Sequence, residues 1–84
     1  MNIRFTAHAR NVLSEREIPE EWVRRVISLP EKTEFPETGV THYLARLPEN
    51  DNRWLRVVTK RSEDDIVVIT TFFDRGVTRR EKKR

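Results

Sequence analysis

His8 and Arg16 are the residues whose types and spacing most directly suggest chemistry, and both lie in the run HARNVLSEREI. Between them Ala9, Val12 and Leu13 fall at the spacing of one helix face, and Arg16 takes the next position due on it. As the second residue inside that helix, His8 sits where the partial positive charge of the N-terminus disfavours imidazolium. The ring is then neutral and able to accept a proton near neutrality. A partly buried histidine that only hydrogen-bonds a backbone carbonyl is the structural alternative. A guanidinium on a core-facing stripe must find a carboxylate, carbonyls or a bound phosphate. Near the helix C-terminus, Arg16 can meet that need by donating to the last open carbonyls or by pairing with Glu15, Glu17 or Asp74. Eight residues of helix separate His8 from Arg16 by a rotation of about 80° and a rise of about 12 Å, so they share one small group only if Arg16 folds back.

A second set lies in RWLRVVTKR, where alternation puts Trp54, Arg56, Val58 and Lys60 on one face of a strand. An aromatic platform beside cations suits single-stranded nucleic acid; a core tryptophan beside an ordinary wet face is the plainer reading. Thr70 and Thr71 stand inside the most apolar strand, where threonine's strand propensity also accounts for them. His42 is isolated, and two histidines without cysteine or an acidic cluster at ligand spacing argue against a metal site. The chain has no cysteine, and Gly39 and Gly76 are its only glycines, so thiol nucleophiles, disulfides and Gly-rich phosphate loops are excluded. Any catalysis must be acid–base and electrostatic, with no cofactor and no metal.

The elements that would position these groups follow from caps, prolines and periodicity. Thr6 can cap a first helix from about Ala7 to Glu15 or Arg16, which Ile18-Pro19 breaks. Pro19, Glu20 and Glu21 suit the start of a second helix running to about Leu29, with Trp22, Val23, Val26 and Ile27 as its apolar stripe. Glu31 to Gly39 reads as a loop with a short extended edge around Thr33 to Phe35. Three strands follow, Val40–Leu47, Arg53–Arg61 and Ile66–Phe73, separated by the turn clusters PENDN and SEDD. Such short connections favour hairpins. The expected fold is therefore α+β, two N-terminal helices packed on an antiparallel meander of three to four strands, within one domain over residues 1–75.

The 84 residues allow one modest core. Their net charge of +3 is concentrated at the C-terminal end, where residues 75–84 hold six basic side chains against Glu81. Removing that +5 leaves residues 1–74 at −2, so a pI of about 9.8 describes an expected flexible basic tail, residues 76–84, more than the domain. The N-terminus lacks the apolar run of a secretory signal, and IVVITTFF is too short to span a bilayer, which makes a soluble cytoplasmic protein the expectation.

HARNVLSEREI, the IPEEWV that follows its start, RWLRVV and VVIT, taken in order from about Phe5 to Phe73, resemble a prokaryotic family of small domains of unknown function. That family has an early H-A-x-x-R and a later R-x-I, and is grouped with the barnase/RelE-like ribonuclease toxin fold. The resemblance implies metal-independent RNA cleavage, or descent from an enzyme that did this, with His8, Arg16, Arg56 and Thr70 as the matching site positions. Arg10 is an alternative for the first arginine, although it points about 200° from His8 on the helix. In the implied chemistry His8 is base or acid, Arg16 and Arg56 stabilise phosphorane charge, and Thr70 positions substrate by a hydrogen bond. RNA and a cognate antitoxin-like protein are the partners this suggests. The rival expectation is a non-catalytic interaction module or homodimer.

Overall fold

The computed structural model describes residues 2–82. Strand β1 (Ile3–Phe5) leads into helices α1 (Ala7–Arg16) and α2 (Glu20–Ser28). Strands β2 (Lys32–Glu37), β3 (Val40–Leu47), β4 (Arg53–Ser62) and β5 (Asp65–Phe73) follow, and helix α3 (Arg75–Lys82) comes last. The Thr6 hydroxyl accepts from the Ala9 N–H at 3.0 Å, so α1 starts where its cap dictates. It stops at Glu17, which is left-handed at φ 53° and donates its N–H back to Leu13 and Ser14.

The sheet corrects the expected three-to-four-strand antiparallel meander. It has five strands in the order β1-β5-β4-β3-β2, and it is mixed because β1 runs parallel to β5. Three residues are too few to show a period, and because α1 and α2 carry the chain to β2 at the opposite edge, β1 finds its partner only when β5 is reached. Strand β2 carries no alternation because all six of its residues are exposed, and Pro36 is tolerated there because β2 is an edge. Beyond it, β3, β4 and β5 pair as hairpins in register from Leu47↔Arg53 outward, with a bulge in the β4–β5 pairing at Val58/Thr59.

Helices α1 and α2 cover one side of this sheet. Ala9, Leu13, Val23, Val26 and Ile27 meet Ala45, Leu47, Leu55, Val57 and Val68 there in the main core. The other side carries a smaller cluster, Leu44, Trp54 and Val77, the last supplied by α3. The stretch expected as a patternless tail thus contains a helix fastened to β4. Asp74 accepts from the Val77 N–H at its start, and the Thr78 hydroxyl accepts from the Trp54 N–H at 3.0 Å. A single buried apolar residue gives α3 too little periodicity to be read in advance. No helix among the described residues is long and apolar enough to cross a membrane.

Candidate functional site

Directly opposed residues of an antiparallel pair share a face, so the register sorts the polar side chains. Glu34, His42, Val58 and Thr70 form one row across β2, β3, β4 and β5. Lys32, Leu44, Arg56 and Phe72 form the next. Both rows lie on the side away from α1 and α2, because their neighbours Tyr43, Leu55 and Val57 belong to the main core.

Arg56 is the centre of this face, with its side chain only 13 % exposed. Its Nε and one terminal nitrogen both donate to the same Asp74 oxygen at 2.8 Å. The other terminal nitrogen donates to Glu34 at 2.6 Å and to His42 Nδ1 at 2.8 Å. A guanidinium has no lone pair to offer, so Nδ1 must accept and the neutral ring carries its proton on Nε2. Burial lowers the His42 pKa below the usual histidine value, the Arg56 charge adds to this, and Glu34 opposes both. Glu34 is held below the usual carboxylate range by its hydrogen bond from Arg56, against a smaller effect of burial. Burial works against ionised Asp74, but the Val77 N–H and Arg56 outweigh it and keep the carboxyl acidic.

Carboxylate, imidazole and guanidinium therefore meet around one point on the side of the sheet away from α1 and α2, next to the patch that α3 covers. That set can take a proton, give one, and neutralise developing negative charge. Among the described residues no group of three or more histidine, aspartate and glutamate side chains is placed to hold a metal ion.

The four positions singled out from sequence are divided between the two sides. Arg56 and Thr70 share the open face. His8 is exposed on α1, in the helical layer across the sheet. Arg16 donates to the Thr71 carbonyl at 3.1 Å. Short β1 explains that bond: it pairs only with Ile66–Val68, and the Thr6 hydroxyl and Arg16 supply donors to carbonyls of β5 beyond it. Arg16 thus meets a main-chain oxygen rather than Glu15, Glu17 or Asp74. Arg10 lies over the Phe5 ring at 4.7 Å and pairs with Glu20, a surface contact of the helices.

Trp54 is 3 % exposed and offers no platform to a base, although Lys32 and Arg46 stand over its ring at 4.9 and 5.6 Å. His42 and Glu34 were missed by sequence reasoning, which left the histidine isolated and placed the glutamate in the short extended edge Thr33 to Phe35 without giving it a role. The signal for His42 was the PENDN turn: once it closes Leu47 on Arg53, counting back along both strands sets His42 diagonal to Arg56.

One family matches the sequence, over residues 5–73: Domain of unknown function (DUF4258). No curated protein and no solved structure matches it.

Proposed function

The chain belongs to the DUF4258 family, whose description names no activity, and from the geometry of the open face we propose that it is a metal-independent endoribonuclease of the toxin type. The supporting observation is the Glu34–Arg56–His42 contact set on the side of the sheet away from α1 and α2, where α3 covers only the neighbouring Leu44 and Trp54. The resemblance of its motifs to a family of small domains grouped with the barnase/RelE-like toxin fold points the same way. RNA is then the partner of this face, in the cytoplasm, and an antitoxin-like inhibitor is a protein that seals it.

Glu34 is half exposed, so it can swing from Arg56 and leave the guanidinium to an incoming phosphate. Its carboxylate takes the proton of a ribose 2′-hydroxyl, and the freed oxygen attacks the adjacent phosphorus. The bond from phosphorus to the 5′-oxygen breaks, and His42, as imidazolium, gives that oxygen its proton. The products are a 2′,3′-cyclic phosphate and a 5′-hydroxyl. Arg56 neutralises the charge on the phosphorane, Asp74 holds Arg56 in place, and the Thr70 hydroxyl binds substrate farther along the face. Loss of Arg56 to the phosphate, together with the phosphate's own charge, raises the His42 pKa when substrate binds. His8 and Arg16 take no part.

The pH dependence follows. His42 needs its proton, and its pKa in the free protein lies below the ordinary 6.5, so kcat/KM falls as pH rises through that lowered value. Glu34 must be ionised and stays so to below the ordinary 4.5, which places the optimum on the acid side of neutrality. An unstructured RNA incubated in chelator at about pH 5 to 7 should be cut, with Glu34→Gln and His42→Ala each slower by at least about 100-fold and His8→Ala unchanged. RNA left intact across that range, or cut equally well by Glu34→Gln, overturns the reading.

A further inference from the structure

On the side of the sheet opposite the charged cluster, a cavity of about 340 Å³ opens beyond the end of α2. Ile3, Ile27, Tyr43 and Ile66 give it apolar walls, and exposed Lys60 and Arg61 lie at its margin. Beside it lies the strand with the most exposed aromatic ring of the fold. Strand β2 borders β3, whose Thr41 lines the cavity, and Phe35 on β2 is 73 % exposed.

Lys32 and Glu34 contact Trp54 and Arg56 on the open face, so alternation turns Thr33, paired with Tyr43 of the cavity wall, to the cavity's side, and Phe35 follows in the irregularity between Glu34 and Glu37, opposite Thr41. An aromatic ring left in water beside a cavity large enough for it, with apolar walls from Ile3, Ile27, Tyr43 and Ile66, can be matched by insertion of the ring against those walls. Charge follows shape, since Glu37 flanks Phe35 while Lys60 and Arg61 flank the cavity. Pro36 lacks an N–H, which disfavours strand-to-strand addition at this edge and leaves insertion of side chains.

We propose that this region is a self-association surface. In a two-fold dimer, Phe35 of each copy enters the cavity of the other and Glu37 meets the cationic margin. Leu29, 74 % exposed and one residue past Ser28 of the cavity wall, is covered in the same contact. The inference does not depend on RNA cleavage.

Sedimentation equilibrium over a roughly thousandfold range of concentration tests it. The wild-type chain should approach twice the 10.1 kDa of one copy. Phe35→Ser should weaken association at least about thirtyfold while leaving the melting curve of the monomer unchanged, because the ring is exposed there. Glu37→Arg should weaken it too, and adding Lys60→Glu and Arg61→Glu to that variant should restore it. A wild-type chain that stays monomeric throughout, or a Phe35→Ser chain that dimerises as before, overturns the proposal.

Discussion

Under α1 and α2, Leu47, Leu55, Val57 and Val68 are sealed among aliphatic neighbours. On the reverse of the same strands, Arg56 is nearly as enclosed, yet its neighbours are two carboxylates and an imidazole. The first side is held by removal of apolar surface from water, which is insensitive to pH and tolerant of exchange between similar shapes. The second is held by a few directional bonds whose members each depend on the others' charge. A domain this small places most of its stability on one side and leaves the other to carry groups that a core would not admit.

Leu55→Ala should have the largest effect on stability, about 2–5 kcal/mol by urea denaturation, because the side chain is fully buried. A loss under 1 kcal/mol would mean that the helical side is not the main core. Arg56→Met comes next, at roughly 1–3 kcal/mol, since Glu34 and Asp74 lose a shared cation in a half-wet site. RNA cleavage should vanish with it, whereas in Leu55→Ala cleavage should survive wherever the protein stays folded. Arg16→Met should cost about 1 kcal/mol, one hydrogen bond from an exposed guanidinium to the Thr71 carbonyl, and leave cleavage intact.

The smallest expected change is confined to α3. Asp74 has a depressed pKa in the fold, so its contribution is complete above the ordinary 3.8 and is lost as pH falls through the lower folded value. In a Trp22→Phe background, Trp54 fluorescence should shift in that acid range before the far-ultraviolet signal of the main core does. Coincident transitions would show that α3 and the core melt as one unit.

Sequence reasoning located α1, α2 and the three long strands because each has a cap, a proline boundary or a clear period. It missed β1 and took β2 for a loop with a short extended edge, for a common reason: both are edge strands, one too short and one too exposed to display alternation. Of the candidate face, two residues were singled out in advance. Arg56 and Thr70 were chosen by motif, and the register joins them. His8 and Arg16 were chosen by the same motif, but α1 lies on the far side of the sheet. What periodicity could not supply was the pairing of β2 with β3, which alone brings Glu34 to His42.

The parallel seam between β1 and β5 has a consequence for how the chain is made. Residues 3–5 have no strand partner until residues 66–68 have been synthesised, several seconds later at about 5–20 residues per second. Until then α1 and α2 have no finished surface to lie on, and short helices alone are marginal in water. The nascent chain should therefore stay open for most of its emergence from the ribosome and close late, when β5 slides between its first and fourth neighbours in the order of strands.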